Sequence, residues 1–127
     1  MPQFSLKSLD KLATVHPDLA RLFLMVIEEE DCVILCGHRG EAEQNQAHDL
    51  GHSHTRWPHG RHNSMPAEAV DVAPYPVDWE DIPRFQRFGE RVKEIAKRAN
   101  LAVEWGGDWA SFRDYPHWQL PKVMKAA

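Results

Sequence analysis

Residues 81 to 100 restrict the possible fold most strongly, because they predict one long amphipathic helix. Asp81 and Pro83 are typical of a helix start. The apolar residues that follow recur at helical spacing and form one stripe: Phe85, Phe88, Val92, Ile95, Ala96 and Ala99. The other elements of the chain must pack against this stripe to bury it.

Shorter patterns on both sides of this helix predict the remaining elements. We expect helices at residues 5–15, 17–30 and 41–50, and strands at residues 33–36, 67–73, 101–105 and 117–120. Residues 51–65 show no periodicity and predict a loop. Helices first, with strands dispersed around a later helix, predict an α+β fold with a small, mainly antiparallel sheet and helices packed on it. A chain of 127 residues has room for one domain, 1–127.

The net charge and the hydropathy pattern argue against two classes of partner, nucleic acids and the interior of a membrane. A net charge of −4 is opposite to the basic surface of a typical nucleic-acid-binding protein. The longest apolar run, residues 22–27, is too short to span a bilayer, so we expect no direct membrane insertion. Residues 1–5 lack the basic start and apolar stretch of a secretory signal peptide, which predicts synthesis in the cytoplasm.

The cysteines do not predict a disulfide or a zinc knuckle. Cys32 and Cys36 are four residues apart in an apolar run. On a strand they would lie about 13 Å apart, whereas a disulfide needs Cα atoms within about 7 Å. We therefore expect two core thiols.

Histidine is the most unusual component of the composition. There are eight, and five of them lie between His48 and His62. Short histidine-rich stretches are typical of metal binding. His62 lies just before a predicted strand, and Asp71 lies within that strand on the face of two alanines. A buried carboxylate needs a cation or a metal, and His117 begins the last strand, so these three residues predict a metal site.

Two longer motifs resemble a known family. Residues 62–75, His-Asn-Ser-Met-Pro-Ala-Glu-Ala-Val-Asp-Val-Ala-Pro-Tyr, resemble the first metal motif of M15-type peptidases. Residues 105–109 and 114–120 resemble the endolysin branch of these enzymes, and the turn at residues 37–39 is similar to the arginine-bearing turn of the family. The resemblance extends from about residue 5 to residue 121. It implies the fold of Hedgehog-like and D-Ala-D-Ala-peptidase-like zinc enzymes.

The resemblance also implies the roles of individual residues. His62, Asp71 and His117 take the positions of three ligands to one catalytic zinc ion. Asp114 takes the position of the general acid/base, and Arg39 that of the group that stabilises the oxyanion. Two departures are visible: Gly60 stands where many relatives have serine, and two extra residues separate the first two ligands.

The implied activity is that of a phage-type endolysin that hydrolyses the L-Ala–D-Glu bond of peptidoglycan stem peptides with metal-activated water. Such a protein would be made in the host cytoplasm and act, as a monomer, in the periplasm or cell wall after release by a separate holin. Within the same family, the alternative is a D-Ala-D-Ala carboxypeptidase or dipeptidase. In other classes, the alternatives are a metal-dependent nuclease and a non-catalytic zinc-binding module.

Several further residues are candidates for the site. Gln44 and Trp105 are candidate substrate contacts, and Glu104 is a rival general acid/base. The remaining loop histidines are expected to be solvated rather than ligands: His48, His52, His54 and His59.

Overall fold

The computed structural model describes residues 2–122, so the outer ends of the predicted domain, residue 1 and residues 123–127, lie outside the described part. Its α-helices are α1 (Leu6–Leu12), α2 (Pro17–Val26), α3 (Glu41–Asp49) and α4 (Ile82–Arg98). Its strands are β1 (Cys32–Cys36), β2 (Ala69–Pro74), β3 (Glu104–Trp105) and β4 (His117–Gln119). A short 3₁₀ helix, Gly106–Asp108, follows β3.

The four strands form one sheet in the order β1-β2-β4-β3, and every neighbouring pair is antiparallel. The prediction of an α+β fold with a small antiparallel sheet is therefore confirmed. Because β4 lies between β2 and β3, this last strand pairs both with β2 and with the segment after α4. This topology brings residues from three distant parts of the sequence to one sheet face.

The two faces of the sheet differ in polarity. Val70 and Val72 of β2, Trp118 of β4 and Trp105 of β3 are buried in the apolar core. The two tryptophan rings are stacked with their centroids 5.6 Å apart. Side chains alternate along a strand, so the residues between these positions lie on the opposite face. That face carries the polar side chains of the candidate site.

Helices α2 and α4 cover the apolar side. Ser5 caps α1 by accepting a hydrogen bond from the Ser8 amide, and Asp81 caps α4 by accepting one from the Arg84 amide. Gly89 of α4 allows a close approach to the sheet, because a Cβ atom there would lie 2.5 Å from the Trp105 ring. The long helix thus packs directly on the tryptophan layer.

Several element boundaries differ from the predictions; helix α1, for example, ends at Leu12 instead of residue 15. Helix α2 ends at Val26 instead of residue 30. Four acidic residues follow at 28–31, and negative charge is unfavourable at the carboxyl end of a helix. Strand β3 has only two residues because it pairs with β4 at only two positions, 104 with 119 and 105 with 118. Strand β2 begins at Ala69, two residues later than predicted.

The long segment between α3 and β2 is anchored at its end. Ala67 forms a parallel bridge with Val15, and the His16 amide donates a hydrogen bond to the Ala67 carbonyl at 2.8 Å. The Arg39 amide donates to the His62 carbonyl at 2.8 Å. These bonds hold the predicted loop against the turn after β1 and bring His62 to the polar face of the sheet.

Both cysteines are free thiols, as the sequence predicts, but Cys32 lies in the core whereas Cys36 is half-buried. In the range 2–122 we find no helix whose length and apolar character would suffice to cross a membrane.

Candidate metal centre

His62, Asp71 and His117 converge at one end of the polar sheet face. Asp71 of β2 and His117 of β4 are directly opposite each other in the antiparallel ladder. His62 arrives from the long segment that precedes β2. One possible ligand atom from each of the three residues lies within 4.8 Å of the other two. The structure therefore brings together all three predicted metal ligands.

The Asp71 carboxylate is the centre of this group. Its Oδ1 atom lies 3.3 Å from His62 Nε2 and 3.3 Å from His117 Nδ1. Both histidines are buried, with 4% and 7% of their surface exposed. The two imidazole rings are 5.2 Å apart and nearly perpendicular, at 74°. Both rings thus direct a nitrogen at the same carboxylate oxygen from different sides.

Hydrogen bonds on the far side of each ring define which nitrogen faces the centre. His62 Nδ1 donates to the Gly37 carbonyl at 2.7 Å, and a carbonyl can only accept. His117 Nε2 lies 2.8 Å from Gln119 Oε1, which is also an acceptor. In the neutral rings, the lone pairs are therefore on His62 Nε2 and His117 Nδ1. This arrangement, with the outer N–H held by an acceptor, is the usual setting of a metal-binding histidine.

The donor set fits a bound cation. Two imidazole lone pairs and one carboxylate oxygen face each other, and His62 Nε2 and Asp71 Oδ1 are buried without a hydrogen-bond partner. Such convergence of lone pairs is unfavourable unless a positive charge lies among them. Two imidazoles and one carboxylate leave a coordination position for water, as in catalytic zinc sites.

In the metal-free protein, a proton supplies this positive charge. Burial acts to lower the pKa of His62, but the adjacent Asp71 carboxylate outweighs it, and the pKa rises to about 10. Burial acts to raise the pKa of Asp71, but the two imidazoles hold it well below its usual range. Asp71 is thus ionised at neutral pH, and His62 carries the balancing proton.

Asp114 lies at the edge of this centre. Its Oδ2 atom is 3.9 Å from His117 Nδ1. The backbone is held by two hydrogen bonds, from the Asp114 amide to the Gly106 carbonyl and from the His117 amide to the Asp114 carbonyl, both at 3.1 Å. Burial, followed by the negative charge of Asp71, raises the pKa of the Asp114 carboxyl. A carboxyl group with a raised pKa beside a metal site is suited to proton transfer.

Arg39 approaches the centre from the turn after β1. One guanidinium nitrogen, Nη2, lies 3.5 Å from Asp71 Oδ2, the second oxygen of the carboxylate whose Oδ1 faces the histidines. The other, Nη1, donates to Gln44 Oε1 at 3.1 Å. The side chain is 16% exposed and lines the cleft. A fixed positive charge is therefore present next to the candidate metal centre.

The two candidate substrate residues lie below the cleft surface. Gln44 is 1% exposed, and its carboxamide donates to the Thr55 carbonyl at 2.6 Å and to Ser53 Oγ at 2.9 Å. Its oxygen accepts from Arg39, so Gln44 connects the arginine to the histidine-rich segment. Trp105 is 5% exposed and donates its indole N–H to the Tyr115 carbonyl. The positions of both residues support packing and positioning roles.

Gly60, the departure noted in the sequence, has a local explanation. The Asn63 carboxamide oxygen accepts a hydrogen bond from the Gly60 amide at 2.8 Å. A Cβ atom at position 60 would lie 2.7 Å from that oxygen. The Asn63 nitrogen in turn donates to Gln44 at 3.0 Å. Glycine at position 60 thus leaves room for an asparagine that supports the same buried network.

The centre lies in a cleft of about 1010 Å³, at the upper end of the range for ligand pockets. Three of the loop histidines line it: His52, His54 and His59. The rings of His54 and Phe112, which both line the cleft, have their centroids 3.5 Å apart. His48 contacts Asp49 at the end of α3 instead. None of these four belongs to the metal group found among residues 2–122.

The charges along the cleft are strongly asymmetric. The carboxylates that line it are Asp71 and Asp114, both at the candidate metal centre. The cationic side chains that line it, in addition to Arg39, are Arg61, Arg113 and Lys122. Arg61 is paired with Glu68 at 2.7 Å, whereas Arg113 has no carboxylate within ion-pair distance among residues 2–122. A chain of net charge −4 therefore has a cationic cleft.

Sequence reasoning did not identify Gln119 or the Gly37 carbonyl as supports of the metal ligands. The spacing of His117 and Gln119 was an available signal, because residues two apart on a strand share a face. The Gly37 carbonyl carries no such signal, since its role depends on the tertiary contact between the β1 turn and His62.

Comparison with known proteins identifies the family. The family model for phage L-alanyl-D-glutamate peptidases matches residues 1–124. The chain belongs to this peptidase family. It is 32% identical over 105 residues to the peptidoglycan L-alanyl-D-glutamate endopeptidase CwlK of Bacillus subtilis, covering 71% of this chain and 60% of CwlK. It is 29% identical over 119 residues to the L-alanyl-D-glutamate peptidase of Listeria phage A118, covering 91% of this chain and 40% of that protein.

A solved structure of this family type has the same fold. The L-Ala D-Glu endopeptidase ChiX of Serratia marcescens superimposes with a TM-score of 0.77 at 32% identity, covering 90% of this chain and 86% of that one. The resemblance to M15-type endolysins is thus confirmed for family and fold. The chain spans less than two thirds of the length of the two curated relatives, 60% and 40%.

Metal binding should release a proton from the protein. Because the pKa of His62 is about 10 in the metal-free protein, its ring is protonated at pH 7.5, and an ion can reach Nε2 only after that proton leaves. We expect about one proton to be released per ion, and the affinity to fall about tenfold per pH unit below the pKa. Calorimetric titration with Zn²⁺ in two buffers of different ionisation enthalpy measures this number.

His59→Gln is the matched control, because His59 lines the cleft without belonging to the metal group. This variant should bind the ion with the same proton release as the unaltered protein. A binding enthalpy that does not depend on the buffer would contradict the assignment of His62 as a ligand that is protonated before metal binding.

Proposed function

We propose that this protein is a zinc-dependent peptidoglycan peptidase that hydrolyses the L-Ala–D-Glu bond of cell-wall stem peptides. The observation that carries the proposal is the convergence of His62 Nε2, Asp71 Oδ1 and His117 Nδ1 without protein donors between them. Membership of the L-alanyl-D-glutamate peptidase family supports the choice of bond. The named activities of CwlK and of the phage A118 protein support the choice of substrate.

Zinc suits the donor set better than the common alternatives. Calcium and magnesium prefer six or more oxygen ligands, whereas this site offers two nitrogens and one carboxylate. A zinc ion bound by these groups would supply Lewis-acid polarisation of the scissile carbonyl and would lower the pKa of a bound water to about 7. The protein's own part is to hold three ligand atoms in place and to leave the cleft side open.

Asp114 and Arg39 are the groups proposed to act on the substrate. Asp114, 3.9 Å from a ligand nitrogen, accepts a proton from the attacking water and returns it to the leaving amine. Its raised pKa makes the return of the proton easier than for an ordinary carboxylate. Arg39 directs its guanidinium into the cleft and hydrogen-bonds the oxyanion that develops on the carbonyl oxygen.

The charge of the cleft supports an anionic peptide as substrate. In a stem peptide that continues from the side-chain carboxyl group of D-glutamate, the α-carboxylate is free unless amidated. Arg113 is adjacent in sequence to Asp114 and lines the cleft, and within residues 2–122 it makes one hydrogen bond, from Nε to the Trp109 carbonyl at 3.1 Å. Its remaining donors are suited to a carboxylate. We assign Arg113 as the residue that binds this carboxylate.

The proposed setting follows from the family. We propose that the described residues form the catalytic domain of a phage-type endolysin, active as a monomer on the bacterial wall. In this account the protein is made in the host cytoplasm and reaches the wall after a separate holin opens the inner membrane. The match to a phage peptidase model supports this setting.

Digestion of purified sacculi tests the proposed activity. We expect fragments with a new amino-terminal D-glutamate, identified by mass spectrometry, and we expect the activity to disappear on zinc removal and return on zinc addition. Asp114→Ala should bind zinc as the unaltered protein does but lose at least 10²-fold in kcat, the usual contribution of a general acid/base. Release of free D-alanine would point to a carboxypeptidase instead. Fragments cut only in the sugar strands would rule out both peptidase activities.

The role of Arg113 can be tested with a pair of soluble stem peptides that differ only in amidation of the D-glutamate α-carboxylate. Arg113→Ala should raise KM for the free carboxylate about two- to fivefold, as expected for an exposed ion pair, with little change in kcat. KM for the amidated peptide should not change. Arg21→Ala removes an arginine on α2 that does not line the cleft, and it should leave both constants unchanged. An equal effect of Arg113→Ala on both peptides would contradict the assignment.

A further inference from the structure

A chain of hydrogen bonds connects the protein surface to the metal ligand His117. Glu104 of β3 and Gln119 of β4 are directly opposite each other in the antiparallel ladder. Gln119 Nε2 donates to Glu104 Oε2 at 3.0 Å, and Gln119 Oε1 lies 2.8 Å from His117 Nε2. Glu104 is exposed, Gln119 is half-buried and His117 is buried. The chain thus extends inward from solvent over three side chains.

The chemistry of the three groups permits only one orientation. An ionised carboxylate has no hydrogen to donate, so Glu104 must face the NH₂ group of the Gln119 amide. The amide oxygen then points at His117, and this oxygen can only accept. His117 must therefore carry its hydrogen on Nε2. Its lone pair is left on Nδ1, the nitrogen that faces Asp71 at 3.3 Å.

We propose that Glu104 and Gln119 are positioning residues that hold His117 in the Nε2–H tautomer and so set the affinity of the centre for its metal ion. The proposal rests on the metal site of the proposed function. Glu104 does not contact the metal group, because the whole Gln119 side chain separates its carboxylate from His117. Gln119 contacts the outer nitrogen of His117, on the side of the ring away from Asp71. Their effect is exerted through the ring of His117.

This role replaces the one considered for Glu104 from the sequence. A general acid/base must lie within hydrogen-bond reach of the reacting atoms. Glu104 binds the outer end of Gln119 and does not line the cleft, whereas Asp114 does. The exposed carboxylate therefore determines the orientation of an amide and takes no part in proton transfer to the substrate.

Substitution of Glu104 by a donor tests the proposal without changing any metal ligand. In Glu104→Lys, the ammonium group can only donate, so the Gln119 amide turns over and presents its NH₂ group to His117. The ring must then move its hydrogen to Nδ1, toward the ion. We expect the Kd for Zn²⁺, measured by competition with a chelator, to rise about 10- to 100-fold, the usual effect of losing an outer partner of a ligand histidine. Glu104→Gln can still present an acceptor, so its Kd should stay within about twofold.

A double-mutant cycle separates this effect from the added positive charge. A leucine side chain at position 119 forms no hydrogen bonds, so it cannot link residue 104 to the His117 ring. Glu104→Lys should therefore change the Kd little in a Gln119→Leu background. An equal loss of affinity in both backgrounds would overturn the proposal in favour of simple charge repulsion. ¹⁵N shifts of His117 in the zinc-loaded protein give a second readout: Nδ1 should be the metal-bound nitrogen, and binding through Nε2 would also overturn the proposal.

Failure of the positioning role and failure of the proposed function would give different experimental results. If the unaltered protein binds zinc and cleaves sacculi while Glu104→Lys has an unchanged Kd, only the positioning role is overturned. If the unaltered protein cleaves sacculi with no zinc bound, the metal-dependent mechanism and the positioning role are both overturned. Circular dichroism of each metal-free variant confirms that the compared proteins are folded.

Discussion

The buried carboxylate of Asp71, held between the imidazoles of His62 and His117, is the interaction on which the site depends. Its Oδ1 atom lies 3.3 Å from a nitrogen of each ring. An uncompensated charge at this position would be costly, so the centre requires either a proton or a metal ion. The raised pKa of His62 and the ligand geometry are two consequences of this one requirement. The same residues therefore form an ion pair in the metal-free protein and a donor set for zinc in the proposed enzyme.

The surrounding structure supports this centre from several directions. The β2–β4 ladder places Asp71 opposite His117, and the Gly37 carbonyl holds the outer N–H of His62. Buried Gln44 holds Arg39 and joins it to the histidine-rich segment. On the reverse face of the same sheet, stacked tryptophans and valines form the core. Strand alternation therefore lets a small sheet contribute to the core with one face and to the site with the other.

Structural features that depend on residues close together in the sequence could be predicted, whereas those that depend on tertiary contacts could not. Alternation in β2 predicted that Asp71 shares a face with two alanines, and the helical stripe predicted α4; both are present in the structure. The residues alone indicated a metal site, whereas the resemblance was needed for zinc and for the roles proposed for Asp114 and Arg39. The burial of Gln44 and the pairing of Glu104 with Gln119 depend on tertiary contacts and strand register, which local patterns do not encode.

The central claim is that one metal ion is held by two imidazoles and the carboxylate between them. A crystal structure of the zinc-loaded protein, with anomalous diffraction recorded on both sides of the zinc absorption edge, tests it most directly. We expect one anomalous peak about 2.0–2.2 Å from His62 Nε2, His117 Nδ1 and a carboxylate oxygen of Asp71. A zinc ion bound instead by the loop histidines, with the Asp71 group in its metal-free arrangement, would contradict the account.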